Sequence, residues 1–410
     1  MEVKSRYKDT AIGVLPEDWE VHKLGNIGDV IRGASPRPKG DKRYYGGNIP
    51  RLMVEDVSRD GKVVFPKVDF LTEEGALRSR PCKKGTLTIV CSGTVGVPSF
   101  LGVDACIHDG FLALVNISEN IYDDYLYHQL TSLKETFNSA ATHGGVFTNL
   151  TTSGVEQVLI PFPSEINEQS AIANTLSDTD EMISSLGKLI LKKRAIKQGT
   201  LQKLLEPKDG WTLKKLGDIA DLKARIGWQG LTTSEYKESG EYYLITGTDF
   251  KNGYIEWDSC FYVEHHRYKQ DRNIQVKEND ILVTKDGTIG KVAFINKLPK
   301  PATLNSGIFV IRPMSDQFHA EFFYYLLLSD SFTKFLSQLS AGSTINHLYQ
   351  KDFVHFQFQV PPTIEEQIHI ASILSDIDAE IASLESKLAK YKQIKQGMMQ
   401  NLLTGRVRLI

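Results

Sequence analysis

Cysteine is scarce in this chain: its four copies, Cys82, Cys91, Cys106 and Cys260, show no C-x-x-C spacing and no histidine partner at zinc-finger distance. That pattern excludes a disulfide framework and a metal site as organising devices, and it reads the thiols as buried and free. No apolar run reaches about 18 residues, the length a membrane helix needs. The stretch Met1 to Thr10 is polar and charged rather than signal-like, so a cytoplasmic protein with no membrane partner is expected. An excess of one charge is also missing, because 48 Lys and Arg face 50 Asp and Glu for a net charge of -2. A uniformly basic coat for nucleic acid is thereby excluded, and any such surface must be local. What the chain does have is length: 410 residues, 41% of them hydrophobic, enough for at least two ordinary cores.

Comparison of the sequence with itself sets the architecture. Ile166 to Leu205 aligns without a gap on Ile364 to Leu403, at an offset of 198 (364 − 166). Matches include Glu168/Glu366, Gln169/Gln367, Leu176/Leu374, Asp180/Asp378, Ile183/Ile381, Leu186/Leu384, Lys197/Lys395 and Leu204/Leu402. The preceding anchors correspond more loosely: Trp19 with Leu24-Gly25-Asn26-Ile27, and Trp211 with Leu216-Gly217-Asp218-Ile219. Later echoes are Gly93-Thr94-Val95-Gly96 against Gly287-Thr288-Ile289-Gly290, and Asp109-Gly110-Phe111 against Ser306-Gly307-Ile308. Between the anchors the halves diverge. Two modules doing similar jobs on different targets fit that contrast, and so does a duplication with no functional meaning.

In the second repeated segment apolar residues fall at Leu374, Ile377, Ile381, Leu384, Leu388, Tyr391, Met398 and Leu402, in steps of three and four. This is a coiled-coil seam. The first segment carries a weaker one through Leu176, Ile183, Leu186, Ile190 and Leu204, interrupted by Thr179, Lys193, Lys197 and Thr200, with Leu189, Ile196 and Leu201 beside it. Proline-containing strand-like stretches precede both, ending at Pro163 and at Pro361-Pro362. About 40 helical residues span on the order of 60 Å. An antiparallel pair is the simplest arrangement, since the intervening block must return the chain; a helix that dimerises whole molecules is the alternative.

The blocks between are rich in short strand patterns, such as Thr88-Ile89-Val90, Phe111 to Val115, Ile281 to Thr284 and Ile308 to Ile311, each followed by helical patterns. The fold class expected is α+β: two mixed α/β domains, residues 1–163 and 208–361, separated by helical spacers at 164–207 and 362–410, with an internal pseudo-two-fold repeat. From Arg32 to Arg51 the first block carries six basic residues against one acidic, interleaved with tyrosines. Arg32, Ser35, Arg37, Lys39, Lys42, Arg43, Tyr44 and Arg51 are its candidate nucleic-acid contacts, since Lys and Arg neutralise phosphates and Arg grips guanine with two bonds. The counterparts in the second block are Lys223, Arg225, Trp228 and Gln229, then Arg267 and Lys269, and Lys285 and Lys291. A solvated charged surface is the plainer reading of such a run.

Signatures of catalysis and of metal binding are lacking. There is no Asn/Asp-Pro-Pro-aromatic loop of an amino-methyltransferase and no G-K-[ST] phosphate loop. Glu235-Tyr236-Lys237 with Asp221 fits the tail of a nuclease motif, but E-x-K tripeptides are common. His108-Asp109 and His265-His266 lack a nucleophile or ligand set and read as satisfied or surface histidines. A protein that binds without catalysing is expected, with a self-contained DNA-modifying enzyme, methyltransferase or nuclease, as the alternative. A pure protein scaffold is a third class.

Taken together, the tandem blocks, each opening on a Trp and Leu-Gly anchor and closing on an I-P-x-P or related stretch with Glu-Gln and a long helix, resemble the specificity subunit of type I restriction-modification systems. Gly33-Ala-Ser-Pro36 leading to Tyr44 through Pro50, Ser92 to Gly96, Gly287 to Lys291, and the pairs Glu168-Gln169 and Glu366-Gln367 carry the likeness, which covers almost the whole chain. The resemblance implies that each block is a target recognition domain reading half of an interrupted double-stranded DNA site. It implies helices that fix the gap and dock two methyltransferase subunits, and restriction subunits acting as motor and nuclease. S-adenosylmethionine, ATP and Mg would belong to those partners and no cofactor to this chain. The first block lacks a counterpart of Lys291, which leaves that lysine's role open.

Overall fold

The computed structural model describes residues 7–142, 150–315, 318–340 and 347–409. Two compact units make up the chain, Met1–Gly187 with Lys387–Ile410 and Lys188–Ser386. Both boundaries fall inside the long helices Ile166–Leu204 and Ile364–Leu402 rather than at their ends. The cause is packing. Ile172, Ala173, Leu176 and Leu402 join one hydrophobic core, whereas Leu201, Ile370, Ala371 and Leu374 join another.

In the first unit a five-stranded sheet runs in the order Asp29–Arg32, Phe111–Val115, Leu87–Val90, Pro98–Leu101, Val63–Val64. Leu87–Val90 is buried throughout, and its one polar residue, Thr88, donates to the Ser99 carbonyl at 2.9 Å. Its residues still alternate: Leu87 and Ile89 face the core shared with the helices, while Val90 joins Leu101, Phe111 and Ala113 on the opposite face. A second sheet covers that opposite face, ordered Asp69–Leu71, Tyr45–Leu52, Ala105–Ile107, Arg80–Cys82. Strand Trp19–Lys23 pairs antiparallel with Leu159–Pro163, so the two ends of the block meet where the long helix starts. The tail beyond Leu402 returns to the same place. Arg408 there bridges Asp18 (2.7 Å) and the buried Glu168 (2.5 Å).

The second unit repeats the plan. Its sheet runs Ala220–Ala224, Ile308–Pro313, Ile281–Thr284, Val292–Phe294, with Ile281, Val283, Phe309 and Ile311 toward the helices and Leu282, Ile308 and Val310 toward a smaller sheet. That smaller sheet is Phe261–Val263, Tyr242–Ile245, Ala302–Leu304. Thr212–Lys215 pairs with Gln357–Val360 as the closing ribbon. The repeated Glu-Gln also acquires a structural reason. Gln169 accepts from the N–H of Tyr122 and donates to Pro163 O, and Gln367 accepts from the N–H of His319, each at the start of a helix that follows the main sheet, Asp123–Ser132 or Ala320–Leu327.

Within each unit the packed helix segments run antiparallel. In the second unit Lys193 pairs with Glu380 (2.7 Å), Arg194 with Glu385 (2.5 Å) and Lys197 with Asp378 (2.5 Å). In the first unit Lys395 pairs with Asp180 (2.5 Å), and Thr179 donates to the Met398 sulfur. Lys197–Asp378 and Lys395–Asp180 are the same pair under the 198-residue repeat, so the repeat is written in side chains as well as in backbone. The two lysines that weaken the first seam, Lys193 and Lys197, are thus cations of these bridges. None of the twelve seam residues Leu176, Ile183, Leu186, Ile190, Leu204, Leu374, Ile377, Ile381, Leu384, Leu388, Tyr391 and Met398 is exposed. Leu201, read as lying beside the seam, is fully buried, whereas Leu189 and Ile196 face solvent.

Candidate nucleic-acid interface

In the first unit the edge strand Asp29–Arg32 runs into Gly33, whose backbone passes so close to His108 that a Cβ would lie 2.0 Å from the His108 carbonyl oxygen. Only glycine permits that approach. It pins the next residues onto the loop 108–110: Ala34 N–H donates to Ile107 O, the Ser35 hydroxyl donates to Asp109 Oδ1 at 2.6 Å, and Arg37 lies 3.6 Å from Asp109 Oδ2. Burial pushes the Asp109 carboxyl up, but the Ser35 hydroxyl, its own backbone N–H and His108 pull harder, leaving it below the usual carboxylate range. Burial, followed by the Arg51 charge, pushes the His108 imidazole below its ordinary value.

Of the residues singled out in this block, Arg37, Lys39, Lys42 and Arg43 are exposed, the last bound to Asp41 at 2.7 Å. Arg32 and Ser35 are half-buried; Arg32 donates to Asp109 O and Leu150 O. Tyr44 and Arg51 turn inward. Tyr44 lies beneath the guanidinium groups of Arg43 and Arg78, and Arg51, 5% exposed, stacks on Tyr45 and faces Asp69 at 3.3 Å. The structure therefore gathers four exposed cations on one loop, two of them paired with Asp109 and Asp41, and turns Tyr44 and Arg51 inward as its support.

The second unit places its residues differently. Arg225 is 1% exposed, its Nε donating to Leu304 O at 2.8 Å and its other nitrogens to Thr303 and Gln270. A guanidinium so enclosed holds the loop from behind and presents nothing to a phosphate. Gln229 is buried as well, and the side chain of Trp228 lies outside the described residues. Arg267 is engaged by Glu235 at 2.8 Å and by Gly230 O, while Lys269 is exposed. Lys223 is half-buried, near Asp221. Lys285 lies over the Phe309 ring, and Lys291 is exposed.

The Gly-Thr-x-Gly echo has a backbone cause. Gly93, Gly96, Gly287 and Gly290 all have positive φ, between 68° and 79° in the second unit and 79° and 82° in the first. Each turn hangs from the same bonds: Cys91 N–H to Gly110 O and Leu150 N–H to Cys91 O in one unit, Lys285 N–H to Gly307 O and Leu348 N–H to Lys285 O in the other. Two loops are thereby held side by side at one end of each sheet. In the second unit they border a hollow of about 380 Å³ lined by Thr246, Thr248, Thr288, Asp286, Lys291 and Asn305, among others. Asp286 there is paired with His347 Nδ1. Sequence reading missed this pair, whose members are 61 residues apart with no spacing that links them.

The chain matches the family model described as the type I restriction modification DNA specificity domain over residues 16–193 and again over 208–396. It is 26% identical to the MjaVIII specificity subunit of Methanocaldococcus jannaschii over 96% of this chain and 94% of that protein. Likeness to the EcoKI specificity subunit of Escherichia coli K12 is 23% and covers 48% of this chain and 43% of that protein. Among solved structures, the type I system S subunit from M. genitalium superposes with a TM-score of 0.61 at 18% identity, covering 94% of this chain and 96% of that one. A chain from a study of complex assembly in the type I system gives 0.59 at 17% identity, over 96% and 99%.

Proposed function

This chain belongs to the type I restriction-modification DNA specificity family, and from that premise we propose that its two recognition domains each read one half of an interrupted DNA target. The observation that carries the proposal is a duplicated scaffold whose supporting contacts repeat while the side chains on the paired loops do not. The glycine turns, the closing ribbons, the Gln169 and Gln367 clamps and the Asp–Lys bridges are shared. Arg37, Lys39 and Lys42 in one unit, and Lys285, Asp286 and Lys291 in the other, are not. Similar frames with different faces suit two different half-sites.

The paired helices fix the gap between half-sites and dock two methyltransferase subunits, and a restriction subunit acts through the same assembly. Apolar side chains left on the outside of the first long helix, Leu189 at 39%, Leu191 at 66% and Ile196 at 44% exposed, support a docking role. Methyl transfer from S-adenosylmethionine and ATP-driven cleavage with Mg then belong to the partners, and this chain contributes choice of sequence. The purified chain given S-adenosylmethionine and DNA should transfer no methyl group, and addition of its methyltransferase should yield adenine methylation at an interrupted motif. Methylation by the chain alone would contradict the proposal.

A further inference from the structure

An acidic side chain stands at the paired loops of both units, and it reaches that place from opposite loops. In the first unit it is Asp109, on the loop before Gly110, which accepts from the Ser35 hydroxyl; Ser92 on the neighbouring turn lies against Gly110, its hydroxyl 2.6 Å from where a Cβ there would be. In the second unit the acid sits on the other loop, as Asp286 at the position equivalent to Ser92, while Ser306 occupies the position equivalent to Asp109. The hydrogen bonds that join the loops are the same in both units. Asp286 is paired with His347, 61 residues further on, whereas Asp109 is held by the Ser35 hydroxyl and Arg37, the nearby His108 Nδ1 accepting the Gly110 N–H. A carboxylate supplied twice by different loops at one place in the frame, each time held by neighbouring side chains, marks a task that belongs to the place.

A carboxylate on a surface that approaches phosphates is repelled by them, so it is tolerated where it receives a hydrogen bond the DNA can donate. On major-groove base edges the donors are the exocyclic amines, N4 of cytosine and N6 of adenine. Adenine places its N7 acceptor beside N6, and a second carboxylate oxygen would be repelled there. Cytosine presents its amine without a neighbouring acceptor on the same base. Resting on the reading of this chain as a DNA specificity protein, we propose that Asp286, held by His347 at the rim of the Thr246–Thr288 hollow, reads a cytosine amine in the half-site of the second domain. Asp109 is its counterpart for the first domain. The exposed Lys291 at the same rim is placed to neutralise the adjoining phosphate, and its absence from the first unit is matched by Arg37 beside Asp109.

Mapping methylated adenines genome-wide in cells carrying the chain with its methyltransferase, as wild type, D286A and D286N, tests this. The wild-type motif should contain an invariant C·G pair in the half-site that the second domain reads. D286A should make that one pair degenerate, lowering discrimination roughly tenfold to a hundredfold, with the gap and the other half-site unchanged. D286N, equal in shape but neutral, should lose part of that discrimination at the same pair. An unchanged motif in D286A, relaxation at an A·T pair, or uniform loss of methylation in D286N would overturn the inference. If the wild-type map shows no interrupted motif at all, the broader functional reading fails instead, and the two failures are thereby distinguished.

Discussion

His128 lies in the interior of the first unit, hydrogen-bonded to Ser177 on the long helix and fully buried. Burial, followed by the nearby charges of Lys62 and Lys395, lowers its pKa to about 3. The unfolded chain binds that proton near 6.5, the folded chain only near 3, so between these values the unfolded state holds more protons and stability falls as pH falls. At pH 5 the loss amounts to about 2 kcal/mol relative to pH 7.5. Urea unfolding at both pH values should show H128N losing about 2 kcal/mol less than wild type on acidification; equal losses would contradict the assignment. Residues of this kind mark the limit of what the sequence discloses at single-residue scale. The cluster of cations from Arg32 to Arg43 is legible because its composition and its Gly/Pro turns declare an exposed loop. Arg225 was not, because a basic residue after a strand gives no sign of which way it turns, and here the carbonyl of Leu304 and the hydroxyl of Thr303 draw it inside.

At the scale of elements, the two long helices were the most legible part of the fold. Steps of three and four place Leu374, Ile381 and their repeats on one face, and helix geometry does the rest. What spacing left dark was the reason for lysines in the first seam, since a cation pattern does not name its anion. Lys197 with Asp378 and Lys395 with Asp180 are half-buried pairs, so each contributes more than a surface bridge and less than a fully enclosed one. A D378K substitution should destabilise the protein by about 1–3 kcal/mol, and K197D/D378K should recover most of it. The same cycle at Asp180 and Lys395 should give a coupling energy within about 0.5 kcal/mol of the first. Unequal coupling in the two cycles would show that the internal symmetry stops at the backbone. The small sheets behind each main sheet were less legible, since strands such as Arg80–Cys82 and Phe261–Val263 are three residues long and carry too little pattern to be read.

For the whole molecule, the repeat at an offset of 198 residues organises everything else: one frame, used twice, closed at each end by a ribbon that joins the start of a block to its finish. The account rests on the two blocks acting as independent readers within one chain. Replacing residues 208–361 by the corresponding block of a relative, and mapping methylated adenines in cells that carry the hybrid with its methyltransferase, tests that most directly. The account predicts a motif in which one half changes while the other half and the gap between them stay as they were. A hybrid whose motif changes in both halves, or in neither, would contradict it.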